Sequence, residues 1–166
     1  MVVQRLIGVL EQLTDIHEKL IECADRKREA LIRNEVQDVA AATAKENQLI
    51  KSVEELLAEK QKATHDFFRS LGFQPVREVT ITEFSRLVTD SALKEALLAA
   101  RDRLTATAER LKQKNELNRQ LLEQSLDFIN YSLDVLIGPD DEPMYQNPMN
   151  KPKPGVQRTG YFDSKA

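Results

Sequence analysis

The feature that most constrains this chain is a single helical period sustained from Ser91 to Ile137. Its apolar seam is Leu93, Leu97, Ala100, Leu104, Thr107, Leu111, Lys114, Asn118, Leu121, Ser125, Phe128, Ser132 and Val135, at alternating steps of three and four. That spacing puts one stripe on one face of a helix, which at 1.5 Å per residue is roughly 70 Å long. A helix of that length requires partners of comparable length. The seam weakens at Lys114 and Asn118, and a second seam starts beside it: Leu122, Leu126, Ile129, Leu133 and Leu136. The last four turns are therefore apolar over a wider arc than one neighbour needs. Either both stripes meet partners inside a bundle, or one stripe is offered to another molecule.

The preceding chain supplies two partners. Val2 to Arg33 carries Leu6, Leu10, Leu13, Leu20, Ala24 and Leu31 on one face and Glu11, Asp15, Glu18, Glu22, Asp25 and Glu29 on another. Acids precede bases by four residues at Asp15–Lys19, Glu22–Arg26 and Glu29–Arg33, the favourable order on a solvated helix face. Asn34 is placed to cap a second helix from residue 35 to 71, with the stripe Val39, Thr43, Ile50, Val53, Leu57, Thr64, Phe67 and Leu71. Gly72 follows as a C-terminal stop.

Between residues 72 and 90 the period breaks at Pro75, and Thr80 with Glu83 has the spacing of a capping box for a short helix, Ile81 to Val88. Phe84, Leu87 and Val88 would share one side of it, with Phe68 and Phe73 closing the end of the bundle. Asp90 caps the long helix. The expected fold is all-α: an antiparallel bundle of three long helices (2–33, 35–71 and 91–137) with a short connector helix. Leu10, Leu13, Leu20, Val53, Leu57, Leu97 and Leu104 are the expected core.

The expected domain covers residues 1–137, and residues 138–166 form a flexible tail. Pro139, Pro143, Pro148, Pro152 and Pro154 remove backbone donors there, and few apolar residues remain to drive folding. Tyr145, Tyr161 and Phe162 stand as isolated anchors in that tail.

Composition excludes several classes. Charged residues make up 31% of the 166 and the net charge is −3 with both signs interleaved, so no basic face for nucleic acid stands out. Arg26, Lys27 and Arg28 are bracketed by Asp25 and Glu29 and carry little net field. Arg5, Glu11 and Asp15 interrupt any signal-like apolar stretch, and no run reaches the roughly 20 residues of a membrane span. Cys23 is the only cysteine, which rules out an internal disulfide and fits a reducing compartment. The two histidines, His17 and His65, lie on helices, and neither follows a glutamate by three as a carboxylate-bridged metal bundle would need. With no phosphate loop and no nucleophile elbow either, an enzyme is not expected, nor is a cofactor or a metal.

The run from Asn115 to Leu133, NELNRQLLEQSLDFINYSL, resembles the C-terminal helix of FlgN-type flagellar export chaperones, and the ending YFDSKA is similar to that of the Gram-positive members. The resemblance implies a cytoplasmic, type III export chaperone. It would bind hook-associated proteins, keep them from assembling early, and deliver them to the cytoplasmic domain of the export gate. It carries Leu121, Leu122, Ser125, Leu126, Phe128, Ile129, Ser132 and Leu133 over as client contacts, while placing the gate contact on no residue. Capture of a helix on an apolar helix face fits that role. The rival expectation is a structural coiled-coil protein that buries both seams by self-association and has no client.

Overall fold

The computed structural model describes residues 2–72 and 79–137, and within them the chain is all-α. Its helices are α1 (Val2–Arg33), α2 (Val36–Ser70), α3 (Ile81–Ser85) and α4 (Ser91–Ile137). No helix among the described residues is long and apolar enough to cross a membrane. The expected tail, with Tyr145, Tyr161 and Phe162, lies outside the described residues, as do Phe73 and Pro75. Contacts divide the chain into two units, Met1–Asp127 and Phe128–Ala166.

In the first unit, α1 and α2 form an antiparallel pair. Arg5 near the start of α1 binds Glu59 late in α2 at 2.8 Å, and Lys27 near the end of α1 binds Glu46 early in α2. The third long helix runs parallel to α1: Glu11 pairs with Arg103 at 3.2 Å, Glu18 with Arg110 at 3.0 Å, and Asp25 with Lys114 at 2.5 Å. The core sits where these helices and α3 meet, around Leu6, Leu10, Leu13, Phe68, Phe84 and Leu97. Phe67, Phe68 and Phe84 bring their ring centroids to 4.5–6.2 Å, within the range of favourable edge and offset contacts.

The turn between α1 and α2 corrects one expectation. Asn34 does not cap α2; it ends α1. Its φ is +58°, its N–H donates to the Leu31 carbonyl, and the Glu35 N–H donates to the Ala30 carbonyl. These are the two bonds of a Schellman motif, and Asn is among the few residues that tolerate the left-handed conformation such a turn demands. Consequently α2 begins at Val36, and Glu35 precedes it without a side-chain cap.

The other end signals hold. Gly72 takes φ +79° just past α2. Thr80 accepts from the Glu83 N–H while Glu83 accepts from the Thr80 N–H, closing the capping box, and Asp90 accepts from the Leu93 N–H at 3.1 Å. However, α3 stops at Ser85 instead of Val88. Phe84 is fully buried and Val88 packs on the core, while Leu87 turns to solvent.

The α1 stripe is buried as expected at Leu10, Leu13 and Leu20, and Leu97 of α4 is fully enclosed. Val53 and Leu104 pack against the core at half burial. Leu57 is exposed, contrary to expectation, and so is Ile50. Leu49 and Leu56 take the inward positions. Each outward residue is next to an inward one, and a single step of about 100° around the helix separates the two.

Asn118 occupies a seam position of α4 and is buried. Its Nδ2 donates to the Ala24 carbonyl at 2.8 Å, while its Oδ1 meets no partner among the described residues. A buried amide in a helical seam fixes register and lowers stability. Asn118→Leu is expected to raise stability by about 1 kcal/mol, a rise in Tm of a few degrees, because it removes an acceptor left unpaired. A lower Tm by thermal unfolding would contradict this account.

Candidate functional site

The first seam of α4 turns inward along the first unit. Leu97, Ala100, Thr107 and Asn118 are buried, and Leu121 and Ser125 are half-buried. The reason this contact fades is visible in the register. The contacts between α1 and α4 are separated by 89 to 94 residues, Asp25–Lys114 by 89, Glu18–Arg110 by 92 and Ala24–Asn118 by 94, so Arg33, where α1 ends, falls opposite the stretch from Leu122 to Asp127. Leu126 and Asp127 thus stand level with the last turn of α1.

The second seam faces solvent. Leu122 and Leu126 in the first unit are 45% and 42% exposed; in the second unit, Ile129, Leu133 and Leu136 are 51%, 44% and 82% exposed. Of the eight residues expected to contact a client, Leu122, Leu126, Phe128, Ile129 and Leu133 are exposed. Leu121, Ser125 and Ser132 are half-buried, and the two serine hydroxyls are spent on the carbonyls of Leu121 and Phe128. Tyr131 is exposed. Each unit's stretch of α4 thus exposes several large apolar side chains, more than the scatter of single exposed leucines that any surface shows.

Two features of this region go beyond the sequence expectations. Ile32 and Val36 stand exposed on either side of the α1–α2 turn. Ile32 continues the seven-residue line Glu11, Glu18, Asp25, and that spacing alone would have marked it as an edge position. The second feature is a cluster in which Arg119 is held by Glu116 at 2.8 Å and by Glu123 at 2.5 Å. The acidic face of α1 stays in solvent as expected, with Glu11, Asp15, Glu22 and Glu29 exposed and Glu18 and Asp25 half-buried. Among the described residues none of the three acid-before-base pairs within α1 forms, while three other acids of that face, Glu11, Glu18 and Asp25, pair with α4.

The hydrogen bond from Arg119, followed by that from Gln120, draws the Glu116 carboxyl from its ordinary 4.5 down to about 2. The Arg119 guanidinium is correspondingly held more firmly protonated by Glu116. A depressed carboxylate pKa gives a contribution present above the ordinary value and lost as pH falls through about 2. The cluster is therefore intact at every physiological pH. Following the Glu116 side-chain carboxyl by NMR should give a midpoint near 2, and Arg119→Gln should return it towards 4.5. A midpoint near 4.5 in the native chain would refute the cluster.

No group of His, Cys, Asp and Glu among the described residues is arranged to hold a metal. His17 donates from Nδ1 to the Leu13 carbonyl at 2.7 Å, and Arg69 donates to His65 on the surface. Cys23 is buried as a free thiol.

The family described as FlgN protein matches residues 1–151. An uncharacterized protein of Bacillus subtilis strain 168, YvyG, is 28% identical over 161 residues, covering 97% of each chain. No solved structure matches.

Proposed function

The chain belongs to the FlgN protein family, and from that premise we propose that it is a cytoplasmic chaperone of flagellar export. In this reading it holds a hook-associated protein along α4, keeps it from assembling before export, and hands it to the cytoplasmic domain of the export gate. The observation that carries the reading is the exposed row Leu122, Leu126, Ile129, Leu133 and Leu136. A helix can lay its own apolar stripe along such a row, so that two half-satisfied surfaces become one buried seam. The role is one of binding, without catalysis or cofactor.

Leu122, Leu126, Phe128, Ile129 and Leu133 are the proposed direct contacts. Leu121, Ser125 and Ser132, half-buried on the adjoining stripe, would set the depth of the seam.

The test is co-purification of the full chain with each hook-associated protein of the same organism, followed by calorimetric titration. A saturable complex with one of them at micromolar Kd or tighter is the expected result, the range of a specific helix-in-groove contact at about −8 kcal/mol. Failure to bind any of them would overturn the proposal.

A further inference from the structure

On the reading that α4 holds a client helix, we infer that the docked segment is amphipathic with lysine or arginine bordering its apolar stripe, selected by Asp127 and Asp134. Beyond Arg119, α4 contains no Lys or Arg through Ile137, but it contains Glu123, Asp127 and Asp134. Glu123 is engaged by Arg119. Asp127 and Asp134 are exposed and enter no ion pair among the described residues. They are one heptad apart and so share a line on the helix, about 100° round from Leu126 and Leu133. Anything lying along the apolar row therefore has unpaired carboxylates along one of its edges.

This charge pattern separates the candidate occupants. A second copy of the chain, docked by the same row, would set two acidic edges against one apolar seam and add like-charge repulsion. A helix bordered by cations gains from the same arrangement, and a helix bordered by anions is rejected by it. Residues 138–166 of the chain itself include Lys151, Lys153, Arg158 and Lys165, so that segment is the competing occupant to be tested.

The experiment titrates two synthetic helical peptides into the full chain, identical in their leucine stripe but bordered by lysine in one and glutamate in the other. The lysine peptide should bind about tenfold tighter at roughly 50 mM salt, with the gap closing towards roughly 0.5 M as screening sets in. Asp127→Asn with Asp134→Asn should abolish the preference. Glu54→Gln with Glu55→Gln, which removes as much charge from the exposed surface of α2, should keep it.

Equal affinity for the two peptides would overturn the charge selection and leave the apolar docking standing. Binding of neither would overturn the docking as well. A preference that survives in the double asparagine variant would overturn the assignment to these residues. If Lys151→Glu with Lys153→Glu strengthens lysine-peptide binding about as much as the preference itself, roughly tenfold, the chain's own segment is the occupant and the inference fails.

Discussion

Leu126→Asp and Ile129→Asp should each weaken binding of a hook-associated protein at least about thirtyfold and leave the thermal unfolding transition almost unmoved. The two halves of this expectation come from one observation, that both side chains stand about half in solvent. In the free protein an aspartate at either position remains hydrated, and helix α4 loses only a few tenths of a kcal/mol of propensity. In the complex the same carboxylate would be buried against an apolar stripe without a partner. Truncation of a central interface residue already costs about 2 kcal/mol or more, and an unpaired charge adds to that.

Calorimetric titration of each variant, beside unfolding followed by circular dichroism, reads both quantities. Leu97→Ala supplies the opposite pattern. That side chain is fully enclosed, so its loss should cost about 2–5 kcal/mol of stability. Unchanged client affinity in the aspartate variants would remove this face from the proposed site. A large loss of stability in them would mean that the row is part of the core.

Phe84→Ala should destabilise the protein by about 3–5 kcal/mol, the range for emptying a buried aromatic site. The five residues of α3 are too few to be stable as an isolated helix, so their position depends on this ring. Phe84 is fully buried against Phe67 and Phe68, with centroids 4.5 and 6.2 Å away. The deletion therefore removes the contact that ties the connector to the end of α2, as well as leaving a void. A fall in Tm of about 10 °C is the expected reading for a chain of this size. Leu87→Ala, three positions along and exposed, should change stability by no more than about 0.5 kcal/mol. Equal effects from the two substitutions would refute the packing of α3 described above.

What the sequence determined by itself was whatever depends on neighbours within a few residues. The helical period set the extents of α1 and α4, and Gly72 stopped α2. The box of Thr80 with Glu83 and the cap from Asp90 opened α3 and α4. Each of these is a bond or a steric limit closed over at most four residues, so the local sequence contains all of its parts. The expectation that the last turns of α4 carry two stripes was equally local.

Tertiary structure decided everything that required a choice between local equals. Leu49 and Ile50, and Leu56 and Leu57, offer two adjacent apolar side chains where the pair with α1 can bury only one. The stripe expected for α2 took Ile50 and Leu57, the outward member of each pair. Asn34 could cap one helix or end another, and its left-handed φ was set by where α2 had to turn to lie along α1. Glu11, Glu18 and Asp25 pair with Arg103, Arg110 and Lys114 of α4, partners that only the packing of the two helices supplies. The exposure of the second seam belongs to the same class. Nothing within α4 distinguishes Leu122 and Leu126 from core leucines. At Leu126 the difference is that α1 has only 32 residues against the 47 of α4, and the contacts between them carry its last residue, Arg33, no farther along α4 than Asp127. Burial depends on what another helix can reach, and only the packed chain contains that distance.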